Sequence, residues 1–186
     1  MKTSKKISWV LPGALILAAA FSRLLPHPYN FSPIAAMALL GGATMTRKAW
    51  AFIFPIGALF LSDICFQLFT NTPGFYGWSQ LINYGAFAMI VVLGMVALKK
   101  ITVKNVIFTS LAASAFFFIL SNFSVWLFAG GIAPYTMNAE GLINTYVLGI
   151  PFFGNTIIGD LVYSGLLFGA YSLVQHFLFT KQQVVA

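Results

Sequence analysis

Long apolar runs separated by short polar breaks make up most of the chain. A helix needs about 20 apolar residues to cross the core of a bilayer. Runs of this kind predict six spans, at about 8–25, 34–46, 49–70, 80–98, 106–128 and 155–180. The runs are continuous and do not alternate with period two, which favours helices over the strands of a membrane barrel. The sequence therefore predicts an all-α polytopic membrane protein with a single transmembrane domain over residues 1–186.

Proline and small residues mark the breaks and one unusual span. Pro28, Pro73 and Pro134 lie between predicted spans, and the longest predicted break covers residues 129–154. The second span is short, and its alanines and glycines predict a tightly packed, partly buried helix.

The composition agrees with a membrane protein and excludes other classes. Of the 186 residues, 60% are hydrophobic and 7% are charged, whereas a soluble domain carries about 25% charged residues. A nucleic-acid-binding domain and a disordered chain are excluded for the same reason. The single cysteine, Cys65, excludes an intramolecular disulfide.

The net charge of +7 indicates topology rather than an anionic partner. If the N-terminus is cytoplasmic, nine of the ten basic residues fall on the inner side: Lys2, Lys5, Lys6, Arg47, Lys48, Lys99, Lys100, Lys104 and Lys181. This predicts six spans with both termini in the cytoplasm. An alternative interpretation makes the first span a signal peptide ending near Ala18-Ala19-Ala20, which leaves five spans.

The predicted outer connections are rich in aromatic and amide side chains, which indicates a pocket for a polar organic ligand. The alternative is an interfacial aromatic belt with ordinary loop polarity. The inner connections are short, and the chain has no phosphate-binding G-x-x-x-x-G-K sequence. The predicted ligand-binding residues are Arg23, His27, Tyr29, Asn30, Asp63, Cys65, Trp78, Asn122, Trp126, Tyr135, Asn155 and Asp160.

Three charged residues fall within or at the ends of predicted spans. A charge inside a bilayer costs a few kcal/mol, so it is expected to be paired. We therefore expect Arg23 to form an ion pair with Asp63, with Asp160 or with both. Such a cluster is either a substrate or proton site or a structural link between helices.

The first span also carries small residues every fourth position, at Ala14, Ala18 and Ser22. Strips of this kind let a second helix approach closely. The strip is either a docking face for a separate membrane subunit or a packing face within the bundle.

Several blocks resemble a family of small, largely uncharacterised bacterial inner-membrane proteins: Ser22–Pro33, Gly41–Ala43, Leu61–Asp63, Ser121–Trp126, Pro151–Thr156 and Gly159–Tyr163. More loosely, the chain resembles a substrate-binding S-component of an energy-coupling factor (ECF) vitamin transporter. That resemblance implies six helices, an outer ligand pocket and an Ala-xxx-Ala strip on the first helix. It also implies a transmembrane coupling subunit with separate ATPase subunits.

The expected function is vitamin uptake without catalysis and without an intrinsic cofactor. One similar S-component family handles cobalamin, with a cysteine thiolate bonded to cobalt, so the resemblance implies cobalamin as the ligand and Cys65 as its metal ligand. Two alternatives remain open. One is a structural or assembly protein, and the other is an intramembrane enzyme that acts on lipid.

Overall fold

A computed structural model describes residues 9–184 and the side chains of residues 9–177. All regular structure in this part of the chain is helical, which confirms the predicted all-α fold. The six helices are α1 (Val10–Ser22), α2 (Ile34–Thr44), α3 (Lys48–Phe69), α4 (Ser79–Ala97), α5 (Val103–Phe128) and α6 (Ala139–Val184). Residue 8 of the predicted first span, Lys2, Lys5 and Lys6 lie outside the described residues, as does the side chain of Lys181.

Four of the helices, α3 to α6, are long and apolar enough to cross a membrane, and α1 and α2 are shorter apolar helices. Their outward faces carry large apolar side chains such as Phe21, Phe108 and Leu166, each more than 60% exposed. A soluble surface does not carry so many exposed apolar groups. These apolar faces are therefore compatible with a membrane-embedded bundle.

The short helix α2 lies at the centre of the bundle, as its small residues predict. Every residue from Ala35 to Gly42 is buried. A Cβ on Gly42 would overlap the carbonyl oxygen of Val91 on α4, and a Cβ on Gly94 would lie 2.7 Å from the carbonyl oxygen of Leu39. Glycine at both positions lets the backbones of α2 and α4 touch. With 11 residues, α2 is about 16 Å long, roughly half the thickness of a bilayer core.

Two helices differ in extent from the predicted membrane spans. α1 covers Val10–Ser22, within the predicted span of about 8–25, and α6 begins at Ala139, ahead of the span predicted from about residue 155. The side chain of Asn138 caps this early start, because its Oδ1 accepts a hydrogen bond of 2.8 Å from the backbone of Gly141. Pro151 lies inside the helix, as membrane helices tolerate.

The break between α5 and α6 is therefore short, from residue 129 to 138. Gly130 and Gly131 have φ angles of 68° and 74°, which glycine adopts without a steric penalty. Residues 139–154 consequently pack along the last turns of α5, where the Tyr146 hydroxyl donates to the carbonyl oxygen of Ile119 at 2.9 Å.

Candidate functional site

The helix ends at one side of the bundle surround a cavity of about 750 Å³, which we call the cavity end. The helices α1, α3 and α5 end there, α2 and α4 begin there, and α6 contributes residues from its first half. The volume lies within the range of about 300–1,000 Å³ that is usual for small-molecule sites. Five phenylalanines supply much of the apolar lining: Phe66, Phe87, Phe117, Phe118 and Phe152.

Asp63 is the centre of a polar cluster on one wall of this cavity. Its Oδ1 accepts from Arg23 Nη1 at 2.8 Å, and its Oδ2 accepts from Gln80 Nε2 at 3.0 Å and from the Tyr84 hydroxyl at 2.7 Å. The predicted ion pair between Arg23 and Asp63 is thus confirmed. Asp63 is 3% exposed, and three donors from α1 and α4 compensate its loss of hydration.

Arg23 is held at the C-terminal cap of α1. Its Nη1 also donates to the Ser62 hydroxyl and to the carbonyl oxygen of Leu59, and its guanidinium lies 5.2 Å from the ring centroid of Phe66. Within the described part of the chain, Nη1 donates every hydrogen bond of the Arg23 side chain. Its Nε and Nη2 therefore have no hydrogen-bond partner there.

The connection between α3 and α4, residues 70–78, covers the Asp63 cluster. A Cβ on Gly74 would overlap the carbonyl oxygen of Asp63, so this position needs glycine for the close approach. Tyr76 of the same connection lines the cavity. Partial burial and then the charge of Asp63 raise the pKa of Tyr76, while the charge of Arg23 lowers it. The Tyr76 hydroxyl is therefore a protonated donor at neutral pH.

Asp160 lies on α6 in the lining of the same cavity and does not pair with Arg23, contrary to one of the predicted alternatives. It is 3% exposed, and its Oδ2 accepts from the Ser114 hydroxyl of α5 at 2.6 Å. One helical turn further along α6, the hydroxyls of Ser110 and Ser164 are 2.7 Å apart. Asp160 is thus the cavity-facing end of a polar ladder between α5 and α6.

The connection between α1 and α2, residues 23–33, lines the cavity and contacts α6. The side-chain nitrogen of Asn155 donates to the carbonyl oxygen of Tyr29 at 3.0 Å. A Cβ on Gly159 would lie 2.9 Å from the backbone nitrogen of Ser32, so the connection rests directly on the backbone of α6.

Comparison with known proteins identifies the family but no relative of known function. Residues 3–183 match the model of a family of unknown function, DUF6580. The chain belongs to this family. The comparisons with curated proteins and with solved structures give no match.

In this member of DUF6580, seven of the twelve predicted ligand-binding residues line the cavity: Arg23, His27, Tyr29, Asn30, Asp63, Asn122 and Asp160. The other five lie outside the lining: Cys65, Trp78, Trp126, Tyr135 and Asn155. The Trp126 indole nitrogen instead donates to the carbonyl oxygen of Thr136 at 2.9 Å, which fixes the turn between α5 and α6. Cys65 is half-buried on α3, two residues beyond Asp63.

The predicted ligand-binding set lacks several polar residues of the site, among them Gln80, Asn83, Tyr84 and Ser114. Gln80, Asn83 and Tyr84 follow the i, i+3, i+4 spacing of a single helix face. This spacing is the signal that would have placed them together on α4. Ser114 has no comparable signal, because its role depends on the register between α5 and α6.

No group of three or more His, Cys, Asp or Glu side chains that is suited to a metal ion occurs among the described residues. The nitrogens of His27 face two backbone carbonyl oxygens, those of Pro28 and Arg23, each at 3.0 Å. The cavity therefore offers hydrogen-bonding groups and aromatic walls rather than a ligand set for a metal.

Proposed function

We propose that this protein is the substrate-binding membrane subunit of an uptake system for a vitamin or a similar small micronutrient, and not an enzyme. The single observation that carries this proposal is the cavity of about 750 Å³. It combines apolar walls with a few fixed polar groups, as sites for small organic molecules do. A structural or assembly protein has no need of such a space between its helix ends.

The distribution of charge supports an outward-facing cavity in a bacterial inner membrane. The basic residues of the α2–α3 and α4–α5 turns lie at the end of the bundle away from the cavity: Arg47, Lys48, Lys99, Lys100 and Lys104. Basic residues concentrate on the cytoplasmic side of membrane proteins. With that orientation, both termini lie in the cytoplasm and the cavity receives its ligand from outside.

The surface of α1 supports a partner subunit. Ala14 and Ala18 are exposed on the outside of the bundle, so the other described residues do not bury this part of the small-residue strip. Ser22 is half-buried, and its hydroxyl lies 3.1 Å from the Tyr163 hydroxyl. We assign Ala14 and Ala18 to contact with a transmembrane coupling subunit, whose ATPase partners drive the uptake step.

Cobalamin is the specific ligand that the resemblance implies, and it is one of several vitamins that are consistent with the proposed function. Cys65 lies outside the cavity lining, so the position of its thiol does not support a bond to the cobalt of a ligand held in the cavity. Protein produced with cobalamin in the medium tests this ligand through its visible spectrum. A corrinoid band that Cys65→Ala shifts would place the thiol at cobalt after all.

A binding screen tests the function itself. Protein purified in detergent is unfolded by heat in the presence of each water-soluble vitamin in turn. A vitamin at 100 times its Kd should stabilise the fold by about 2.7 kcal/mol. Ser121→Trp fills the cavity from α5 and should abolish the shift, whereas Phe123→Trp, on the exposed face of the same helix, should keep it. A shift that survives Ser121→Trp, or no shift with any vitamin, would contradict the proposal.

A further inference from the structure

Oxygen acceptors of residues that line the cavity indicate the chemistry of its ligand. We infer that the cavity binds an organic amine, whose cationic nitrogen is held by Asp160 while its apolar body lies against the phenylalanine walls. This inference rests on the proposed function and names the substrate class of the same site. It follows from a count of charges and hydrogen bonds at the cavity wall.

Asp160 is the one carboxylate of the lining without a cationic partner in the described part of the chain. Arg23 and Asp63 neutralise each other at 2.8 Å. Asp160 receives a hydrogen bond only at Oδ2, from Ser114, and its Oδ1 has no partner among the described residues. A carboxylate inside a membrane bundle is expected to be paired. The missing partner is a cation that enters through the cavity.

Asn83 provides a second, independent sign that the ligand carries N–H groups. It lies on α4 and lines the cavity, and its buried Oδ1 has no hydrogen-bond partner among the described residues. A buried acceptor left unpaired is destabilising, and a hydrogen-bond donor on the ligand would compensate for this. Together Asp160 and Asn83 present two unsatisfied acceptors, on α6 and α4.

The walls favour an organic cation over a metal ion. The rings of Phe87 and Phe117 stack with centroids 4.9 Å apart, and both line the cavity. Aromatic faces attract ammonium and guanidinium groups, and Phe66 already holds the guanidinium of Arg23 in this way. A metal ion would instead need several oxygen ligands around one point, and the described residues offer no such carboxylate cluster.

Three probes that differ in one terminal group test this inference: tryptamine, tryptophol and indole-3-propionate. They share an indole ring and an ethyl linker, and they end in an ammonium, a hydroxyl and a carboxylate. Their affinities are measured by titration calorimetry on the purified full chain in an uncharged detergent. One charge-assisted hydrogen bond corresponds to at least about tenfold in Kd, so tryptamine should bind about tenfold tighter than either analogue.

Matched variants test whether the preference for tryptamine depends on the Asp160 carboxylate. Asp160→Asn should reduce the preference for tryptamine to less than about threefold. Glu140→Gln removes the other carboxylate of α6, which is exposed at the helix start and outside the lining. This variant should leave the preference for tryptamine unchanged. If Asp160→Asn does not fold, Asn83→Leu replaces it, and weaker binding of tryptamine is expected there as well.

The outcomes separate this inference from the proposed function. Equal binding of the three probes, or tighter binding of the carboxylate, would overturn the assignment of an amine while leaving an organic-ligand site. Binding of none of them would also overturn it, and the vitamin screen would then decide whether the proposed function stands. A preference for tryptamine that persists in Asp160→Asn would overturn the role of Asp160.

Discussion

Arg23 and Asp63 join the C-terminal ends of α1 and α3 through an ion pair of 2.8 Å inside an apolar bundle. Both side chains are largely buried, with 13% and 5% exposure. Gln80 and Tyr84 of α4 complete the hydrogen bonds of the carboxylate. The cluster therefore fixes three helices at the wall of the cavity, which makes it a structural support of the site.

Removing one partner of the Arg23–Asp63 pair should destabilise the protein more than removing both. Asp63→Asn leaves the charge of Arg23 without compensation and should destabilise the protein by about 3–5 kcal/mol, as for other buried pairs that lose one partner. The double variant Arg23→Gln, Asp63→Asn should recover part of this loss. Unfolding in mixed micelles measures both, and purely additive losses would show that the two charges do not interact.

The Tyr84 hydroxyl should contribute measurably to the stability of the Asp63 cluster. Tyr84→Phe removes its hydrogen bond of 2.7 Å to Asp63, and a bond to a charged group is worth about 1.5–3 kcal/mol. Tyr29→Phe is the matched control, because Tyr29 is 80% exposed and its hydroxyl has no hydrogen bond to the described residues. Equal unfolding free energies of the two variants would argue against this role of Tyr84.

Asn83 should show opposite effects on stability and on binding. Asn83→Leu removes a buried acceptor that has no partner in the described part of the chain, so the free protein should keep or gain stability by up to about 1 kcal/mol. The same variant should bind a ligand with N–H donors more weakly. Thermal unfolding with and without tryptamine measures both effects. A clear loss of stability in the free protein would show that Asn83 Oδ1 has a partner in solution.

The two glycines of α4 test the close packing with α2. Gly94→Ala should destabilise the bundle by about 1–3 kcal/mol, the usual cost of overpacking, because a Cβ there would lie 2.7 Å from the carbonyl oxygen of Leu39. Gly85→Ala lies on the same helix with nothing within 4 Å of the added Cβ. It should leave the unfolding transition unchanged or raise it. A similar response at both positions would contradict the central position of α2.

Bulky substitutions on the exposed face of α1 should impair docking of a partner subunit without affecting ligand binding. Ala14→Leu and Ala18→Leu lie on an exposed face, so folding and ligand affinity should be unchanged while uptake by cells falls. Ala97→Leu, exposed at the end of α4, is the control and should not affect uptake. Normal uptake in both α1 variants would remove the reason to place a coupling subunit on this strip.

Much of the fold was predictable because a bilayer imposes simple demands. Continuous apolar runs have to be helices, and the small residues of α2 indicated its buried position. The start of α6 was missed because Pro151 and the neighbouring asparagines resemble a loop. The structure shows that Asn138 caps a helix there and that the membrane-facing helix accommodates the proline.

The site was predictable only where a charge required a partner. The sequence offered two possible carboxylate partners for Arg23, which are Asp63 and Asp160. The pairing with Asp63 depends on how α1 and α3 pack. Asp160 instead faces Ser114 because of the register between α5 and α6. Hydrophobicity along a chain does not encode this register. Trp126 near the end of α5 and Tyr135 of the α5–α6 turn were predicted as ligand contacts. In the structure the Trp126 indole donates a hydrogen bond to this turn.

Native mass spectrometry of the protein released gently from the producing membrane tests the central claim most directly. The proposed function predicts an adduct with the mass of a small organic molecule on the wild-type chain and on Phe123→Trp. It predicts no adduct on Ser121→Trp, in which the cavity of about 750 Å³ is filled. A wild-type chain without any adduct, or the same adduct on all three proteins, would contradict the assignment of the cavity as a ligand site.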